Sequence, residues 1–158
     1  MPAIAPCLWF DDQAEDAAQF YVSVFPNSRI TDTLHYTDAD PGKAGSVLLV
    51  SFELDGRPFT ALNGGTHFTI DEAISFQIDC ATQDDVDHYW GLLTEGGEEG
   101  PCGWLKDRFG VSWQVVPTRI AELLSDSDPA AAARVTQRLY GMRKLVIAEL
   151  EEAAAATV

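Results

Sequence analysis

The feature that most limits how this chain can fold is an order of elements that occurs twice. Residues 3–10 have the apolar content of a strand, and DDQAEDAAQFYVSVF then sets Ala14, Ala17, Ala18, Tyr21, Val22 and Phe25 at helical spacing. Acidic residues in its first turn suit the helix dipole, Asp11 or Asp12 is a candidate cap, and Pro26-Asn27-Ser28 ends it. Three strands follow: RITDTLHYT, then SVLLVSFEL after a Pro/Gly loop, then RPFTALN. Asp55-Gly56 joins the last two as a hairpin, because Gly accepts the positive φ that a tight turn requires. GGTHFTID reads as a connection, after which the pattern restarts. AISFQIDC is a strand and TQDDVDHYWGLL a helix with Val86, Tyr89, Trp90 and Leu93 on one face. EGGEEGP breaks it, and strands near 103–106 and 111–116 meet through Phe109-Gly110.

A shift of 68 residues lays Phe10, Asp11, Ala18, Tyr21, Val22 and Phe25 over Ile78, Asp79, Val86, Tyr89, Trp90 and Leu93. A shift of 54 brings Gly56, Phe59 and Ala61 onto Gly110, Trp113 and Val115. Two copies suit one supersecondary unit used twice around a shared core, since a solenoid needs more repeats. The expected class is α+β, with βαβββ modules at 1–65 and 66–117 of one domain and a helical tail at 118–158. In that tail TRIAELLS is a short helix, and Pro129 fits a first helical position behind Asp128 or Ser127. Val135, Leu139, Met142, Val146 and Leu150 form one apolar stripe, to be packed on the same domain or, as a second reading, on a partner copy.

Several function classes are excluded by composition. At 158 residues and 46% hydrophobic content the chain has material for a core, yet no run nears 18 apolar residues. MPAIAPCLWFDD lacks a basic n-region and a cleavable apolar segment, so a cytoplasmic location is expected, with no membrane partner. Cys7, Cys80 and Cys102 are an odd set without CxxC spacing, which argues against a disulfide framework and a zinc knuckle. With 25 acidic against 10 basic residues the formal charge is −15, and a nucleic-acid backbone would be repelled.

The doubled βαβββ order, with FYVSVFPNSRI, LDGRPFTALNGG, KDRFGVSWQ and the tail RLYGMRKLVIAEL, resembles the vicinal oxygen chelate superfamily of glyoxalases, bleomycin-resistance proteins and extradiol dioxygenases. More narrowly it is similar to the PhnB-like branch, often labelled 3-demethylubiquinone-9 3-methyltransferase. The resemblance covers nearly the whole chain and implies one cupped mixed sheet with helices outside. Its catalytic members hold a divalent metal in the cup through His, Gln and Glu, and the metal polarises a bidentate oxygen substrate. The matching positions here are Ala5 and Ala73 on the first strands, Gln114 four residues after a turn glycine, and a residue near Thr60. Two methyl groups, an amide and a hydroxyl are not a competent metal set, so no metal and no other cofactor is expected.

Strand alternation then selects the side chains facing the cup. With Gln114 inward, Ser112 and Val116 share its face while Trp113 and Val115 pack under helices; Ala5, Cys7 and Trp9 face inward in the first strand, and Ala73, Ser75 and Gln77 in the fifth. Asn63 at the end of the first module, His67 in the connecting loop and Trp104 complete the candidate pocket, whose mix of apolar walls and few polar groups suits a small ligand. Each has a blander reading. Cys7 is a small hydrophobe, Trp104 a core filler, His67 a solvated loop residue, and Lys106, Asp107 and Arg108 a turn of solvated charges.

The first expectation is a metal-free small-molecule binder that associates as a homodimer, as members of this fold do. The second is a metal-dependent lyase, isomerase or dioxygenase with atypical ligands such as Gln114, His67 and Cys7. The third is the methyltransferase of the branch's label. It is disfavoured because Gly64-Gly65 and Gly96-Gly97 do not stand in the strand-to-helix turn that binds S-adenosylmethionine.

Overall fold

Strand alternation and two tight turns build the same kind of sheet twice. A computed structural model describes residues 4–126 and 128–156. Ala3, given above as the start of the first strand, and Ser127, the alternative cap, lie outside them. The chain divides into two compact units, Met1–Ile70 and Asp71–Val158.

The first unit runs β1 (Cys7–Phe10), α1 (Ala14–Val24), β2 (Arg29–His35), β3 (Val47–Leu54) and β4 (Arg57–Asn63). Its sheet has the order β1-β4-β3-β2, with β1 parallel to β4 and the other pairs antiparallel. The β3–β4 turn falls where expected: Asp55 and Gly56 both have positive φ, 47° and 71°. Leu8, Phe10, Phe52 and Ala61 form the buried strand face, against Ala17, Ala18 and Tyr21 of α1.

Neither Asp11 nor Asp12 caps α1, contrary to expectation. The N-cap is Gln13, whose side chain makes no capping bond, and the Ala14 N–H donates to Asn63 Oδ1 at 2.8 Å. Asn63 Nδ2 donates in turn to the Val47 carbonyl (3.0 Å), and the Tyr36 hydroxyl donates to the Asn63 carbonyl (2.6 Å). One buried amide thus satisfies a helix end and ties β3 to β4.

The second unit runs β5 (Ser75–Cys80), α2 (Gln83–Thr94), a two-residue β6 (Glu98–Glu99), β7 (Trp104–Lys106) and β8 (Ser112–Pro117). Its sheet order, β5-β8-β7-β6, repeats the first with β5 parallel to β8. The α+β class and the two βαβββ modules are therefore present. Here the helix carries its own capping box: Asp85 N–H donates to Thr82 Oγ1 (3.1 Å), and Thr82 N–H donates to Asp85 Oδ2 (3.0 Å).

The repeat needs one adjustment. Ala17, Tyr21 and Val24 are the buried residues that match Val86, Trp90 and Leu93, one residue beyond the 68-residue shift. The strand ends, Phe10 and Cys80, are 70 residues apart and the helix faces 69, because the strand-to-helix turn spans residues 11–13 in the first module and only 81–82 in the second.

The tail holds α3 (Arg119–Leu124), α4 (Pro129–Tyr140) and α5 (Ile147–Ala155). Asp128 caps α4, its Oδ1 accepting from the Ala130 N–H at 3.0 Å, with Pro129 in the first turn. The apolar stripe does not run along one helix. It breaks at Gly141, a poor helix former, and the chain folds back. Leu123, Val135, Met142, Leu145 and Leu150 bury one another, with Leu139 and Val146 packed alongside. The stripe is thus consumed inside its own unit and is not a partner surface.

Replacing Asn63 with Ala removes both side-chain bonds and leaves the Ala14 donor buried. Urea denaturation is expected to show a loss of about 2 kcal/mol.

Candidate functional site

The last hairpin of the second module, residues 104–117, is organised by a side chain that reads from sequence as a solvated turn charge. Asp107 is 3% exposed. Its Oδ1 accepts from the N–H groups of Phe109 (2.8 Å) and Val111 (3.1 Å), and its Oδ2 accepts the Trp113 indole N–H (2.8 Å). Backbone bonds between Asp107 and Val111 and between Gly110 and Asp107 close the same turn. This corrects the expectation for Asp107: three donors make a buried carboxylate tolerable, and they set the register of β7 on β8.

That register brings the predicted residues of this module onto one face. Trp104 stands opposite Gln114, Lys106 opposite Ser112, Gln77 beside Gln114 and Ser75 beside Ser112. Trp113 and Val115 alternate to the other side and are buried at 3% and 0%, as expected. Gln114 is half-buried, and its Nε2 donates to Ser75 Oγ at 2.9 Å. Gln77 is exposed and donates to Asp79 Oδ1 (2.6 Å).

Part of this face opens into a cavity of about 420 Å³ lined by Glu72, Glu98, Glu99, Trp104, Lys106 and Ser112, together with the 100–102 turn and Leu105. Ser112 is the unusual member. It is 1% exposed, and its hydroxyl has no hydrogen-bond partner among the described residues. A buried unpaired hydroxyl is destabilising by about 1–3 kcal/mol, so a native structure keeping one on a cavity wall calls for an explanation.

Lys106 forms an ion pair with Glu72. That hydrogen bond is the main reason the lysine lies above its ordinary pKa and the Glu72 carboxyl below its own. Glu99 Oε1 accepts the Trp90 indole N–H at 2.9 Å. The wall at 100–103 is held from behind by the α4–α5 link. Cys102 and Gly103 N–H donate to the Met142 and Arg143 carbonyls (2.8 and 2.7 Å), and Arg143 Nη1 donates to the Glu99 carbonyl (3.2 Å).

The predicted residues of the first module fall on two different faces. Cys7 pairs in register with Thr60 and Trp9 with Leu62, all on the sheet face away from α1. Trp9 is enclosed by its own loop: its Nε1 donates to the Gly65 carbonyl (2.7 Å), and Phe68 meets it edge-on at 4.9 Å. A Cβ on Gly64 would lie 2.3 Å from the ring, so only glycine fits beneath it. Asn63 lies on the opposite face, under α1, and leaves the sheet face that carries Cys7, Trp9 and Thr60. Its groups are taken by the bonds described above. It does border a separate hollow with Asp11, Asp12, Glu15, Tyr36 and Lys43. His67 is exposed in the loop.

Glu72, Glu98, Glu99 and Cys102 were not identified by sequence reasoning. The acidic EGGEEGP run reads as a helix breaker, and Glu72 sits in a connection where no period assigns a face. Alternation from Trp104 to Lys106 was the available signal.

The metal that this type of fold implies is not suited to the residues present. Ala5 precedes β1 and Ala73 lies in the turn before β5, both exposed, and neither methyl group can ligate. The Gln114 amide is already engaged with Ser75, and Thr60 offers only a neutral hydroxyl. Among the described residues no three His, Cys, Asp or Glu side chains gather as a metal group, which covers His67 and Cys7.

The paired βαβββ modules define the fold of the vicinal oxygen chelate superfamily, which solved structures share. A PhnB protein from Bacillus cereus, described as a 3-demethylubiquinone-9 3-methyltransferase, is 31% identical, with 74% of this chain and 100% of that one covered at a TM-score of 0.65. Protein PA1353 from Pseudomonas aeruginosa (19% identity, 74% and 98% covered, TM-score 0.61) and the fosfomycin resistance protein FosX from Mesorhizobium loti (14%, 79% and 98%, 0.56) share the fold alone. The family model described as 3-demethylubiquinone-9 3-methyltransferase matches residues 2–116, and the chain belongs to that family. No curated protein matches the sequence. Among the described residues no helix is long and apolar enough to cross a membrane.

The three thiols separate in reactivity. Burial pushes Cys80 up to about 11, with the nearby Asp85 and Asp79 charges adding to it, whereas Cys7 is exposed. A raised pKa depletes the nucleophilic thiolate at pH 8. Mass spectrometry after iodoacetamide treatment at that pH should find Cys7 alkylated and Cys80 untouched until denaturant is added.

Proposed function

We propose that this chain binds a small organic molecule in the cavity of its second module, without a protein-held metal ion. The observation that carries this reading is the Ser112 hydroxyl, buried on the cavity wall with no partner among the described residues. A ligand that hydrogen-bonds it removes the penalty of leaving it unpaired, so the group contributes more to binding than to the free fold. Trp104 supplies an apolar wall, and the volume lies within the usual range of small-molecule sites. Gln114 and Ser75 continue the polar face beside it.

The family's descriptive name does not carry the chemistry of this chain. Gly64 packs under Trp9 at the end of β4, and Gly97 lies against the Lys106 carbonyl after α2. Neither begins a helix after a strand, the arrangement that presents backbone N–H groups to a nucleotide-like cofactor. Three free cysteines agree with a cytoplasmic protein. Association as a homodimer belongs to the same reading and is supported by β2, an edge strand with exposed Ile30 and Leu34. Sedimentation showing only monomer at micromolar concentration would remove it.

The test is Ser112→Ala. With no ligand the variant should melt at the same temperature as the parent or higher, because an unsatisfied hydroxyl has been deleted. In a fragment screen by ¹⁵N NMR, compounds that shift the Trp104 indole and residues 98–114 in the parent should lose about five- to tenfold in affinity in the variant. Shifts confined to other regions would overturn the site. Equimolar divalent metal after chelator-free purification, or a melting shift with S-adenosylmethionine, would instead favour one of the two enzyme readings.

A further inference from the structure

We infer that the ligand of this cavity is a small organic cation, an ammonium group carried on a planar apolar body; the inference rests on the cavity being the binding site proposed above. Three carboxylates line it, Glu72, Glu98 and Glu99, against the single cation Lys106. Two of them are engaged: Glu72 by Lys106, and Glu99 by the Trp90 indole N–H. The Glu98 side chain is exposed and makes no hydrogen bond or ion pair among the described residues, though its charge acts through space on Lys106.

Acidic side chains alone would be a solvated surface. Here the buried, partnerless Ser112 hydroxyl shares the cavity with them, and Trp104 presents a half-buried ring. The ladder fixes their spacing. Glu98 and Ser112 flank Lys106 on either side, and Trp104 lies two residues along β7 on the same face. Diagonal neighbours in such a ladder have Cα atoms about 7–8 Å apart, a span that one small molecule bridges.

An ammonium placed there meets a carboxylate, a π face and a hydroxyl lone pair, each favourable to positive charge. A carboxylate or phosphoryl ligand meets the like charges of Glu72 and Glu98, with Lys106 already committed to Glu72, and approaches a chain of net charge −15. The planar body follows from Trp104, with Pro101 extending the apolar wall.

Three matched probes test this: phenethylamine, phenethyl alcohol and 3-phenylpropionate, titrated into the full chain while the Trp104 indole resonance is followed by NMR. The amine should bind about fivefold more tightly than the alcohol, and the propionate more weakly than either. Glu98→Gln should bring the amine close to the alcohol in affinity and weaken the salt dependence of amine binding. Equal binding of the amine and alcohol, or an amine affinity indifferent to Glu98→Gln, would overturn the cationic class while leaving the cavity as a site. If none of the probes perturbs Trp104, the binding-site reading fails and this inference fails with it.

Discussion

The Asp107 carboxylate is the interaction on which the candidate site depends. It gathers three N–H donors, two from its own turn at Phe109 and Val111 and one from the Trp113 indole on β8. Without those bonds a buried charge would be costly; with them the turn has little choice of conformation. Because the turn fixes how β7 lies on β8, it also fixes that Trp104, Lys106, Ser112 and Gln114 share one face. A one-residue slip of β8 would send Ser112 and Gln114 to the helix side, away from Trp104 and Lys106, and bring Trp113 and Val115 out.

The first module reaches the same end with a different residue. Asn63 closes its sheet by bonding the start of α1 and the Val47 carbonyl, as Asp107 closes the other by bonding its turn and Trp113. Each module therefore holds a buried polar side chain that ties its last hairpin together. In each case the polar groups are matched by protein partners, which makes the unmatched Ser112 hydroxyl stand out. Polar burial in this chain is otherwise structural.

Much of the fold was legible in the sequence because periodicity and turn chemistry agree. The Asp55-Gly56 hairpin, the extent of β4 and the alternation of β8 follow from local rules. What was not legible depends on long-range bonds. Nothing local distinguishes an Asp that caps its own helix from one whose place is taken by an Asn some fifty residues later. The spacing of Val135 to Leu150 is that of a continuous helix, yet Met142 and Leu145 are buried by a chain that turns at Gly141. For the site, alternation puts Ser112 and Gln114 on one face, as the ladder has them, whereas Trp104 and Asn63 carry no face in the sequence, and the structure sets Asn63 under α1. Alternation also passed over Glu72 and Glu98, which lie where no period applies.

The tail ties these threads together. Residues 118–158 fall outside the stretch matched by the family, yet the α4–α5 link offers its Met142 and Arg143 carbonyls to the N–H groups of Cys102 and Gly103. Those carbonyls are free to do so because the helix has ended; in a continuous helix they would be taken by residues four further on. The break that the apolar stripe conceals is therefore what allows the tail to grip the 100–103 wall. Cys102 adopts φ 58°, a conformation unfavourable for a side-chain-bearing residue, and these backbone bonds, with the Cys102 thiol donating to the Leu139 carbonyl, hold it there. The shape of the cavity is accordingly set by the tail as well as by the sheet, so its inner surface can change with the tail while the doubled modules stay the same.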